Sequence, residues 1–306
     1  MKHCYTMTWT RTLTAGYLVC VTAIATAQTP ERIWLQPMPP TRAESDWYPR
    51  AITIVEGAVV DFDHQQLRVI AAGDEAETIV SARRVIWIEP GAVSSEQADA
   101  IEQYESGNYA NALSALPAIL KQRPPVWRQQ WLTMMAANAA WKTSRADIAL
   151  ELVSQLDRRP LPPLVIAWLP VAWKNGGQSA VVVQAAKARL QDPSLAVQLV
   201  AASWLLSSAD RSEATSVLQS LATQTDRTDI ARQAKCLAWR TATPPQVAAS
   251  SQRWQQELMK LPMVWQVGPT VTLVDKFQSA GQDESAKRLK WSLELTPIHP
   301  HPALQD

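Results

Sequence analysis

The chain has 306 residues, room for one large or two ordinary domains. With 47% hydrophobic and 19% charged residues it can bury a real core, which excludes a disordered chain. A formal net charge of +1 gives no electrostatic footprint for nucleic acid or anionic lipid. Glycine is scarce at 9 and proline common at 21, a balance that favours helices with prolines marking their ends.

Residues 1–27 read as a secretory signal. Lys2 and Arg11 make a positive start, residues 13–24 form an apolar run, and Ala25-Thr26-Ala27 is an A-x-A cleavage site before Gln28. A membrane-spanning helix is the alternative, but the run falls short of about 20 residues. Cys20 after Leu18-Val19 also resembles a lipoprotein signal, with Val19 where a small residue is wanted. Cys4 and Cys20 lie inside the signal, so cleavage leaves Cys236 without an intrachain disulfide partner. In AKCLAW it reads as a buried small hydrophobe.

Residues 28–45 read as a polar linker, because the proline pairs in PMPPT favour extended backbone. Residues 46–92 then alternate apolar and polar at Ile52/Ile54, Val60/Phe62, Leu67/Val69, Ile79 and Ile86/Ile88. Breaks at Glu56-Gly57, at 63–65, at Gly73-Asp74 and at Ser81-Ala82 make five short strands, the pattern of a small antiparallel β-barrel. The run GAVVDFDHQQLRVIAAGDEAETIVSARRVIWIE resembles Sm-like and Src-homology-3-like barrels, in which a meander ends in a short turn and a final V-x-x-I strand. A different five-stranded arrangement fits the same alternation.

From Gly91 the chain reads helical. The stretch AIEQYESGNYANALSALPAILKQRP places apolar residues at helical spacing on both sides of a turn at Gly107. Ser94-Ser95-Glu96 reads as the cap that starts the first helix. Further turn signals fall at Thr143-Ser144, Gly176-Gly177, Ser208-Ala209, 241–243 and Gly281, a period of about 34 residues built from paired helices. Residues 93–296 form this helical part, which is expected to separate from the β-rich part near residues 90–97. Residues 297–306 read as a disordered tail.

Gly107, Tyr109, Ala112 and Pro124 stand at the spacing of the tetratricopeptide family, which the first hairpin resembles. Ala137 and Ala149, Ala202 and Ala214, and Gly281 and Ala286 hold corresponding places in later units. The third and fifth units depart, with Ala180 or Val182 at the small-residue position and Pro244-Pro245 opening a helix. The resemblance implies a mainly α fold: a right-handed α-solenoid of five to six hairpins, whose first helices line a concave ligand-binding surface. The helix over 126–142 would be such a first helix. Its Trp131, Met134, Asn138 and Trp141 are spaced three, four and three apart and form one stripe. Asn138 can donate to and accept from a peptide backbone. Family members that grip a terminal carboxylate pair such an asparagine with basic residues, and Met134 stands where a lysine would be. The stripe therefore favours a peptide with a hydrophobic anchor. The alternative is that Trp131 and Trp141 pack against the neighbouring repeat.

No metal-ligand spacing, nucleophile motif or phosphate-cradling loop stands out, and His299 and His301 are an incomplete ligand set. The 14 tryptophans against 2 phenylalanines read mainly as core filler between helices. The expectation is an exported, periplasmic or secreted, non-catalytic scaffold. It would bind a protein or peptide, without cofactor, metal, nucleic acid or a membrane segment after signal cleavage. A carbohydrate-binding module with exposed tryptophans is the alternative.

Overall fold

The computed structural model describes residues 29–38, 51–295 and 301–304. The signal and cleavage site expected at residues 1–27 lie outside the described residues.

Five antiparallel strands form an open sheet: β1 (Glu31–Leu35), β2 (Thr53–Phe62), β3 (Gln66–Ala71), β4 (Glu77–Ser81) and β5 (Val85–Glu89), in the order β4-β3-β2-β1-β5. The strand count matches the alternation, but the membership differs. Ile54 of the first run and both residues of Val60/Phe62 belong to one strand, β2, which begins just after Ile52 and passes straight through Glu56-Gly57. The fifth strand comes from the expected linker: Glu31–Leu35 lies between β2 and β5, pairing Ile33 with Val55 on one side and with Ile88 on the other. ERIWL alternates, turning Ile33 and Leu35 into the core, and that short pattern outweighs the prolines that follow. Asp63 sets the β2–β3 turn, its Oδ1 accepting the Gln65 and Gln66 amides at 2.6 and 2.8 Å. A single 3-10 turn (Ala82–Arg84) leads from β4 into β5.

The rest of the chain is mainly helical. Helices α1 (Ser95–Glu105) and α2 (Tyr109–Lys121) form the first hairpin, and α3 (Val126–Lys142) and α4 (Ala146–Leu156) the second. A short α5 (Pro163–Ala167) precedes α6 (Ala180–Ala188), which packs on α7 (Leu195–Leu205). α8 (Arg211–Leu221), α9 (Thr228–Ala238), α10 (Pro244–Met259), α11 (Met263–Ser279) and α12 (Asp283–Glu294) follow. Ser94 Oγ accepts the Gln97 amide at 3.2 Å, the cap expected at the start of α1, and Ser179 and Ser194 cap α6 and α7 in the same way. Gly107 and Gly281 take φ of +80° and +72° at the hairpin turns, where a side chain would be strained. The small residues at the repeat positions, Ala112, Ala137, Ala149, Ala202, Ala214 and Ala286, are all buried where helices approach closely.

The third unit is not a hairpin of two ordinary helices. Between α4 and α6 the chain makes only the short α5 and then runs irregularly to Gly177. Every residue from 161 to 173 is buried. α11 returns against α5, α9 and β5, and the Met263 amide donates to Gln36 Oε1 at 3.1 Å. Trp87 of β5 packs on Trp131 and Trp168, so the boundary expected at residues 92/93 runs through one shared core. The tail is ordered where it is described. Pro302–Leu304 form one helical turn against α11, and His301 and Ala303 are buried. The polar look of HPHPALQD concealed that Pro302, Ala303 and a neutral imidazole can all enter an apolar core.

Candidate functional site

Trp131, Met134, Asn138 and Trp141 do share one face of α3, but that face is not an open groove. All four are buried, Asn138 fully at 0% exposure. The chain's own residues 161–173 occupy the position expected for a peptide ligand. Asn138 Nδ2 donates to the Trp168 carbonyl at 2.6 Å, the kind of backbone contact anticipated for it, made within the molecule.

This segment lacks a regular ladder, so its carbonyls must find other donors. Side chains of the surrounding helices supply them. Trp265 Nε1 donates to Pro163 O at 2.8 Å, Trp204 Nε1 to Pro170 O at 2.7 Å, and Thr272 Oγ1 to Trp173 O at 2.7 Å. Arg240, buried, donates to Ala172 O at 2.5 Å and to Ser203 O at 2.8 Å. Burial pushes its guanidinium down to about 10, because the carbonyl dipoles around it replace only part of its lost hydration. α11 makes room for the segment with Gly268, where a Cβ would come within 2.2 Å of the Trp173 ring. The signal was present in LPPLVIAWLPVAW: an apolar run too rich in proline for a long helix has to be buried as largely irregular chain.

At the centre lies Trp168, fully buried. Its ring is stacked 6.0 Å from Trp87, edge-on at 5.4 Å to Trp131, and 6.4 Å from His301. The Ala303 amide donates to His301 Nδ1 at 3.1 Å. Desolvation lowers the imidazole from its ordinary 6.5 to about 3, with a partly opposing contribution from the Ala167 backbone. The folded protein therefore binds fewer protons here than the unfolded chain between those two values. Stability from this group is complete above about pH 6.5 and is lost as the pH falls towards 3, at about 1.4 kcal/mol per pH unit. Chemical denaturation across this range should show His301→Gln losing less stability in acid than the wild type by that slope. Parallel curves would show that the ring is not buried.

A second feature is open. A cleft of about 570 Å³ lies between the β2–β3 face and the α1–α3 helices. Val59, Ile119, Pro124 and Pro125 give it apolar walls, and Glu31, Gln97 and Arg128 line it as well. Arg128 Nη2 donates to Glu31 Oε1 at 3.0 Å and Nη1 to the Ala92 carbonyl at 2.9 Å. The other Glu31 oxygen accepts the Val59 amide at 2.6 Å, next to the β2 bulge that shifts the ladder register there. Gln97 is buried, and its amide nitrogen has no acceptor among the described residues. None of these polar residues stood out in the sequence. The available signal was Arg128 itself, one turn before Trp131 on an otherwise apolar helix face, where a charge needs a buried partner.

The remaining sequence candidates are structural. Among the described residues ten tryptophans are buried, Trp34 is half-buried and Trp291 is exposed. Two exposed, coplanar tryptophans of the kind a sugar platform needs do not occur among them. Cys236 is buried, and burial pushes its thiol well up, away from reactivity. Among the described residues no three His, Cys, Asp or Glu side chains come together as a metal site, and no helix is long and apolar enough to cross a membrane. In comparisons with family models, curated proteins and solved structures, the chain matches none.

Proposed function

We propose that the protein is a non-catalytic scaffold, exported to the cell envelope, that binds a protein or peptide in the cleft between β2–β3 and α1–α3. The carrying observation is that cleft: about 570 Å³ of mixed apolar and amide lining, open to solvent, with a buried ion pair beside it. Such a lining suits an extended segment with one apolar anchor and backbone groups to satisfy. The α3 stripe no longer serves as the docking surface, because the chain covers it. The tetratricopeptide-like reading is supported by the α1–α2 and α3–α4 hairpins and by the buried alanines at the repeat positions. The small-barrel reading is supported by the meander β2-β3-β4, the one-turn helix and the last strand Val85–Glu89. Export rests on the A-x-A site, and N-terminal sequencing of the exported protein should begin at Gln28.

The test is site-specific photo-crosslinking in envelope extract. A benzophenone side chain at Ala72 or Gln122, both exposed in the cleft, should capture the same protein adduct. The same group at Ser212, exposed on α8, should not. Identical adducts at all three positions, or none at any, would contradict this reading.

A further inference from the structure

We propose that the outer edge of β4 is a self-association surface, on which a second copy of this chain pairs antiparallel, β4 to β4, about a two-fold axis at Ile79. Among the described residues β4 pairs only with β3, and its other edge meets no strand. Glu77, Thr78, Ile79 and Ser81 are exposed, Ile79 at 64%. The devices that usually guard such an edge are missing: ETIVS holds no proline or lysine, and its ladder with β3 has no bulge. The one charge, Glu77, is drawn back over the sheet by Arg68 of β3, whose Nε and Nη2 donate to its carboxylate at 2.9 and 3.0 Å.

The ladder itself sets the register. The Ala82 amide donates to the Gln65 carbonyl at 2.9 Å, next to the pairs Ser81–Gln66 and Val80–Leu67. Antiparallel bonding alternates along a strand, so Ala82, Val80 and Thr78 turn their N–H and C=O groups to β3. Ser81, Ile79 and Glu77 turn theirs outward. Pairing centred on Ile79 uses all of these outward groups. It sets Ile79 against Ile79 of the second copy and Glu77 against Ser81. Pairing centred on Glu77 would instead set two carboxylates opposite each other.

Charge favours the same arrangement. Asp74 and Glu75, both exposed, precede β4, and exposed Arg83 follows it. Burial and the like charge of Arg232 on α9 hold the Arg83 guanidinium below its ordinary value. Antiparallel pairing carries the acidic end of each copy to the basic end of the other. The sheet has no second edge to offer: Val85, Ile86, Trp87 and Ile88 of β5 are buried, and α5 and α11 pack against that strand. The contact is therefore isologous and closes at a dimer instead of growing into a fibre. Five residues of edge bury less surface than a stable dimer needs, so the association is weak and reversible.

Sedimentation velocity of the purified protein tests the surface. From about 5 µM to about 500 µM the weight-average sedimentation coefficient should rise towards that of a dimer and no further. Ile79→Lys, at an exposed position, should keep the wild-type Tm and stay monomeric throughout, because two ammonium groups would meet across the axis. Glu75→Lys and Arg83→Glu should each weaken self-association by about tenfold or more. An equimolar mixture of those two variants should recover the wild-type strength, because opposite charges then meet again at both ends of the strand pair. A wild type that stays monomeric over the whole range, or that grows beyond a dimer, would overturn the proposal. So would an Ile79→Lys variant that dimerises like the wild type, or a mixture no stronger than its components.

Discussion

Trp168→Ala should destabilise the protein by about 3–5 kcal/mol, among the largest losses available from a single truncation. Trp168 is fully buried and touches the sheet, two helices and the end of the chain: Trp87 from β5, Tyr104 from α1, Trp131 from α3, and His301. Removing the indole forfeits its burial and leaves a cavity that four separate parts of the chain would have to move to fill. The loss should appear in urea denaturation as a lower midpoint with an unchanged slope. A midpoint within error of the wild type would mean that the segment around Trp168 is not packed inside.

Arg128→Leu should cost about 3–5 kcal/mol, because it strands the Glu31 carboxylate between the sheet and α3. Both residues are nearly buried, at 6% and 8% exposure, so water from the neighbouring cleft replaces only part of what the lost guanidinium supplied. The loss comes from leaving one partner behind, since the intact pair contributes little net stability over an apolar replacement. Glu31→Gln in the Arg128→Leu background should therefore recover a substantial part of the loss, as the amide oxygen can still accept the Val59 N–H. Additive losses in the double variant would show that the two side chains do not interact.

The parts of this fold that were readable in the sequence are those set by local chemistry. Ser94 caps α1 with its side-chain oxygen, which accepts the Gln97 amide three residues on, Gly107 and Gly281 turn where left-handed backbone is needed, and Ala112 is small because the partner helix is its neighbour in the chain. Each is decided within about ten residues. What was misread depends on distant partners. Glu31–Leu35 is too short to declare itself, and is a strand because β2 and β5 flank it on both sides. The Glu31–Arg128 contact spans 97 residues of sequence. The stripe on α3 is legible as one face, but the choice between an open groove and packing against neighbouring chain is not, because residues 161–173 have no periodicity to reveal where they go. Their prolines limit helix to the short α5, and the rest of the segment takes its shape from donors on α3, α7 and α11 and from Arg240.

The central claim is that residues 161–173 are an integral, interior part of this fold, held by its helices as a bound peptide would be. Native-state hydrogen exchange reads it directly. The amides of Val165, Trp168 and Ala172 donate to Pro162 O, Val165 O and Ser203 Oγ in the buried interior. They should exchange only through global unfolding, with the same opening free energy as the core amides of α3 and α7. Exchange of these three amides orders of magnitude faster than that of α3 and α7 would show that the segment opens by itself, and would contradict the account.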